Sequence, residues 1–348
     1  MSMHHASHAT APNGRRARDL RQWMHAPRFG HIALALAWLP MALVAGAAAL
    51  SAPSALAQSD AIPRPALPGG ASSVRSDAIA SGNAAAPDAE IAKLAAMPVA
   101  AQTQWLSRAI KSGELAAMRD DQIVARMQAL QPDTLVRFLK AESAALPEYQ
   151  YALTRHERIN DQWQTTPDRM LVKIREKPLQ IYAKWLPGGA HAGQEILYDE
   201  TRNPKEMYGH LGGILGFASI WSSIDGPLAR SQSNHTVRDL GFAFIAEQIA
   251  HDGRSFRAEG LPDKPARISV SELHGTRVLA LEWDAPSGPP QHYANKSRVL
   301  LDLKTGFPRG IEAWNASGQK VEEMRFENVR KAQWTDATFD SKNPDYKF

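Results

Sequence analysis

The sequence predicts an α+β protein, mainly antiparallel strands behind a helical stretch, and three observations point to it. Apolar residues recur with a period of two through much of residues 147–348. Turn residues break those runs at short intervals. The segment before them, 88–146, follows a helical period instead.

Residues 1–57 read as a targeting segment. Arg15, Arg16, Arg18, Arg21 and Arg28 form a basic region, Ile32 to Leu50 is an uncharged apolar run, and Ser54-Ala55-Leu56-Ala57 offers a signal peptidase site before Gln58. The competing reading is a retained membrane helix, since the run is nearly long enough to span a bilayer. Pro40 and the small-residue site favour cleavage and release into the periplasm. Of 40 basic and 36 acidic residues in the chain, five Arg and one Asp lie in this segment, so the remainder is net neutral. A neutral protein has no bulk field to gather polyanions, and no nucleic-acid partner is expected. The chain has no cysteine, which removes disulfides, thiolate metal sites, a Cys nucleophile and an acylated amino-terminal Cys.

Residues 58–87 are rich in Ala, Ser, Pro and Gly and read as a disordered linker. Residues 88–130 then form a helical module. Ile91, Leu94 and Ala95 keep helical spacing before Pro98; Trp105, Leu106, Ala109 and Ile110 keep it up to Gly113; Ile123, Val124 and Met127 follow Asp120-Asp121. The main domain is expected over 131–348. Pro132 and Asp133 open its first helix, with Leu135, Phe138, Leu139 and Leu146 along one stripe, and Pro147 stops it.

Beyond Pro147, alternation marks strands through Tyr149–Thr154, Arg169–Arg175, Leu179–Trp185, Leu279–Asp284 and Val299–Leu303, separated by turns such as Pro187-Gly188-Gly189 and Thr305-Gly306-Phe307-Pro308. About ten strands are expected. One internal helix is convincing, with Thr236 or Asp239 as its cap and Phe242, Ile245, Ala246 and Ile249 as its buried stripe. A sheet with one apolar face must cover that face. The candidate covers are the 88–146 helices, the Phe242 helix, the Gly-rich segment 211–224, or a ligand.

Two stretches carry a family resemblance. Asp302-Leu-Lys-Thr-Gly-Phe-Pro308, the strand through Ile311 and Trp314, Gly318-Gln319 and the strand ending Phe326-Glu-Asn-Val329 resemble the meander of the LolA-like group, which includes the lipoprotein carriers LolA and LolB and the sensor RseB. The run Val172–Pro178 with Tyr182–Trp185, Glu195–Tyr198 and the terminus Phe339–Phe348 is similar to a bacterial family of unknown function in that group. The resemblance implies a strongly bent antiparallel sheet forming an open half-barrel, with covering helices and a hydrophobic cavity between. No counterpart is found to the arginine that latches the carrier's lid.

The expected trough lining is Tyr151, Leu153, Met170, Val172, Ile174, Ile181, Trp185, Leu281, Trp283, Leu301, Trp314 and Phe326. For any one of them the competing fate is a dry core sealed by helices. No catalytic motif, metal-ligand set or cofactor loop accompanies them. Glu247 and His251, spaced i, i+4, have no further ligand beside them, and a His near a helix end is the plainer reading. The expectation is therefore a periplasmic binder or carrier of a lipid or lipoprotein acyl chain, and not an enzyme. The alternative is a regulatory protein in the manner of RseB, with an envelope membrane protein as partner and an empty trough.

Overall fold

The computed structural model describes residues 85–348, apart from 214, 215 and 217. The expected targeting segment and nearly all of the expected linker lie outside the described residues. Among the described residues no helix is long and apolar enough to cross a membrane.

Five helices come first: α1 (Ala85–Ala95), α2 (Val99–Lys111), α3 (Glu114–Ala117), α4 (Asp120–Ala129) and α5 (Pro132–Ala145). Proline sets two of the starts, Pro98 before α2 and Pro132 in the first turn of α5, where no amide donor is missed. Short helices of this kind depend on packing for their stability. Gln102 of α2, fully buried, supplies part of it. Its amide donates to the Leu94 carbonyl at 2.9 Å, and its carbonyl oxygen accepts from the Gln131 N–H at 2.8 Å and the Thr134 hydroxyl at 2.7 Å. One side chain thus ties three helices together.

Twelve strands among the described residues form a single antiparallel sheet, two more than the alternation predicts. Its order is β7-β6-β5-β4-β3-β1-β12-β11-β10-β9-β8, with the short β2 (Gln162–Trp163) paired to β1 off this path. In chain order the others are β1 (Glu148–Ile159), β3 (Asp168–Glu176), β4 (Leu179–Trp185), β5 (Glu195–Asp199), β6 (Glu206–His210), β7 (Ile220–Ser223), β8 (Arg267–Leu273), β9 (Thr276–Asp284), β10 (Lys296–Asp302), β11 (Pro308–Trp314) and β12 (Lys320–Lys331). The first strand pairs with the last at the centre, Leu153 opposite Phe326, so the two halves of the domain meet there. The register shifts at Gln150/Ala152, Leu300/Leu301 and Ala313/Trp314. Such irregularities bend strands and add twist. The sheet does not close, and the fold is an open half-barrel with helices over its inner face.

Two inner clusters share that face. The first joins Tyr149, Tyr151, Leu153, Val172, Ile181 and Phe326 to Leu240, Phe242 and Ile245. The second joins the amino-terminal helices, through Leu106, Ile110, Ile123 and Phe138, to Leu279, Leu281, Val299 and Leu301. Spanning both is α7 (Phe242–Ala258), which carries the expected stripe. Its cap differs from the expectation. Thr236 and Asp239 close a capping box on the preceding 3-10 turn, Val237–Leu240, and Gly241 stands at the helix start. The Gly-rich segment also behaves differently: its end, Ile220–Ser223, extends the sheet as edge strand β7 beside β6. A short helix, α6 (Pro227–Arg230), precedes the 3-10 turn.

The outer face is partly covered as well. Phe339 and Tyr346 of the carboxy-terminal run pack on Tyr182 and Leu197. The Lys173 ammonium lies 5.2 Å from the Tyr182 and Tyr346 ring centres and 5.6 Å from that of Trp334. These contacts hold the terminal segment against the sheet.

Candidate ligand-binding site

Most of the expected lining belongs to a filled core. Tyr151, Leu153, Met170, Val172, Ile174, Ile181, Trp185 and Phe326 are all buried on the inner face, and Val237, Leu240, Phe242 and Ile245 close over them. The closure is specific. The Tyr149 hydroxyl accepts from the Phe242 N–H at 2.7 Å and donates to the Glu176 carboxylate at 2.6 Å. The Tyr151 hydroxyl donates to the Leu240 carbonyl. Burial first, and the Glu176 charge second, push the Tyr149 hydroxyl well above its ordinary range, so it stays protonated and keeps donating. Burial also raises Glu176, against the pull of the Tyr149 bond. These groups pin the amino-terminal end of α7 to β1 and β3.

Trp314 lies elsewhere. It sits three positions after Ile311, an odd spacing that places the two side chains on opposite faces of β11. Its ring lies among Lys296, Arg298 and Lys320, whose charged groups are 5.1, 5.3 and 5.5 Å from its centre. Trp314 is a cation–π hub on the outer face and no part of a trough. Leu301 faces inward but is buried at 4 % exposure within the helix-covered cluster.

Space remains at the other end of α7. A cavity of about 380 Å³ lies between α5, the carboxy-terminal half of α7, the α4–α5 junction and strands β8 and β9. Of the expected residues, Leu281 and Trp283 border it. The buried members of its wall are Met127, Leu130, Leu135, Ala250, Leu281 and Trp283, with Ile249 and Ile268 half-buried beside them. A smaller void of about 40 Å³ shares Trp283 and Ile249 and extends towards Val299 and Ile311. Exposed polar side chains, Asp133, Lys140, Arg254, Arg257 and Lys264 among them, form the rim. The volume lies within the range of small-molecule sites, near its lower end.

Gly253 explains part of the opening. It stands inside α7, facing the cavity, and a Cβ there would meet only an Arg257 guanidinium nitrogen, at 4.0 Å. Glycine in a helix interior costs about 1 kcal/mol relative to alanine. A glycine within an otherwise helical run is the one sequence signal that could have pointed to this wall. The aliphatic helix residues Leu130, Leu135 and Ala250 carried no such mark, since core and cavity residues look alike in sequence. Glu247 and His251 form no shared site: Glu247 pairs with Lys140 at 2.8 Å, and His251 lies 3.4 Å from Asp252.

A family model described as a protein of unknown function, DUF1571, matches residues 146–348. No curated protein matches the sequence. Among solved structures, the chain is similar to an uncharacterized conserved protein from Thermus thermophilus, at 10% identity and a TM-score of 0.35, over 60% of this chain and 95% of that one. It is also similar to a LolA superfamily protein from Nitrosomonas europaea, at 10% identity and a TM-score of 0.30, over 61% and 98% of the two chains. A third likeness is to MucB in the Pseudomonas aeruginosa MucA/MucB complex, at 14% identity and a TM-score of 0.34, over 60% of each chain. The family model spans the strands and the terminal run that carry the resemblance read from the sequence.

Proposed function

The chain belongs to the DUF1571 family, and from that premise and the cavity beneath α7 we propose that it binds or carries a hydrophobic moiety, an aliphatic chain of a lipid or lipoprotein, in the cell envelope. One observation carries this reading: an apolar-walled space of about 380 Å³ between the covering helices and β8–β9, continued by the smaller void towards Val299 and Ile311. The basic and apolar runs before Ala57 support work in the periplasm after export, with the following Ala/Ser/Pro-rich stretch as a tether.

Transfer of a methylene out of water gains about 0.8 kcal/mol. Ten buried methylenes therefore gain about 8 kcal/mol, against which stands the entropy cost of association. An aliphatic chain of that length binds without polar chemistry in the floor.

Protein purified from the periplasm should copurify with an aliphatic ligand, seen by native mass spectrometry and solvent extraction. Gly253→Leu places a side chain in the opening from a position where nothing obstructs it, and leucine is the better helix former. Retention of ligand should fall at least about tenfold in this variant, by the loss of buried contact, while its melting temperature is kept or raised. Undiminished retention in folded Gly253→Leu protein would sink the assignment of this cavity.

A further inference from the structure

The rim of the cavity is chemically unlike its floor. Four cations border it, Lys140, Arg254, Arg257 and Lys264, against two acids, Asp133 and Asp263. Arg257 serves both acids, pairing with Asp263 and lying 3.4 Å from Asp133. Lys140 is held by Glu247 at 2.8 Å. The other two cations lack such compensation. Among the described residues the Arg254 side chain has no hydrogen-bond or ion-pair partner, and the Lys264 ammonium reaches only the Gln128 carbonyl, at 3.2 Å. Two uncompensated cations thus stand at the mouth of an apolar space, one from the last turns of α7 and one from the loop that follows it.

Taking the cavity as the ligand site, we propose that its ligand is a single-chain amphiphile with an anionic headgroup, the chain between α5, α7 and β9 and the headgroup on Arg254 and Lys264. The volume argues for one chain, because about 380 Å³ is near the lower end of ligand sites and leaves no room for several acyl chains side by side. The charge argues for the anion. A guanidinium offers paired donors to a carboxylate or phosphate, and an ammonium adds a compact charge. A cationic headgroup would be repelled, and a neutral one would leave both side chains as they stand.

Binding of four probes with the same twelve-carbon chain tests this on the delipidated full chain: dodecanoate, dodecyl phosphate, dodecanol and dodecyltrimethylammonium. An anion should bind about tenfold more tightly than dodecanol, and the cation more weakly than either. In the double variant Arg254→Gln/Lys264→Gln, the ratio of anion to dodecanol affinity should fall towards one. Both side chains are exposed, so the substitutions leave the core intact. Which anion binds more tightly separates a free fatty acid from a phosphate-bearing lipid as the source. Equal binding of all four probes, or a ratio that survives the double variant, overturns the headgroup assignment and leaves the aliphatic site standing. Binding of none of them overturns both.

Discussion

At the scale of single residues, two glycines make opposite predictions. Gly306, in the Thr305-Gly-Phe-Pro turn, has φ +72°, and a Cβ on it would lie 2.5 Å from Phe138 Cζ and 3.3 Å from Ile110 Cδ1. The turn therefore passes directly against buried side chains of α5 and α2, and only glycine allows both the backbone angle and the approach. Gly306→Ala should cost about 2–4 kcal/mol, combining left-handed strain with overpacking, and urea unfolding measures it. An unchanged midpoint would show that the turn does not bear on the helices as described. Gly253→Ala should instead stabilise by up to about 1 kcal/mol, because its site is helical and open. The Thr-Gly-Phe-Pro turn was legible from its own residues. Its contact with Phe138 was not, because Phe138 lies far away in the chain. Trp314 falls on the other face for a different reason: the strand through it came from a resemblance, with no alternation of its own to mark the apolar side.

Elements show the same division between local and distant information. The stripe of α7 could be read because Phe242, Ile245, Ala246 and Ile249 repeat at helical spacing. Its anchor could not, since the groups at its first turn come from β1 and β3, with Tyr149 lying 93 residues before Phe242. Thr236 and Asp239 gave a true capping signal, but for the 3-10 turn one step earlier. The anchor has a measurable consequence. Tyr149→Phe removes the acceptor of the Phe242 N–H and the donor to Glu176 without changing the ring. Leaving such buried partners unsatisfied costs about 1–3 kcal/mol. Hydrogen exchange should then show protection lost at the first turn of α7 and kept over its middle, where Ala246 and Ala250 are buried. Uniform loss along the helix would mean that the pin does not act locally.

Across the whole molecule, alternation told which face of the sheet is apolar, but not how completely the helices fill it. That depends on where α5 and α7 diverge over β8 and β9, a tertiary quantity. The space accordingly lies away from most of the residues expected to line it. A second whole-molecule feature is a buried ionic cluster joining the loop before α7, the loop before β10 and strand β12. His235 Nε2 lies 3.0 Å from Glu322, its Nδ1 lies 3.8 Å from Asp239, and the Tyr293 hydroxyl donates to Glu322. Burial opposes charge on His235, but Glu322 and then Asp239 outweigh it and raise the imidazole well above its ordinary range. Glu322 is held low in return: burial works against its ionisation, and the His235 charge outweighs that. The His235 contribution to stability is therefore complete below the unfolded imidazole value, about pH 6.5, and disappears as pH climbs through the raised folded value. The Glu322 contribution runs the other way, present above about pH 4.3 and lost as pH falls through its lowered value. Denaturation of wild type and His235→Gln across pH 5 to 10 separates the two. The stability gap between them should be widest near pH 6 and should narrow steadily towards pH 10, as the wild type gives up the proton that the variant never carried. A gap that stays constant over that range would mean that folding leaves the proton affinity of His235 unchanged, and the ion pair with Glu322 would then contribute nothing to holding the three segments together.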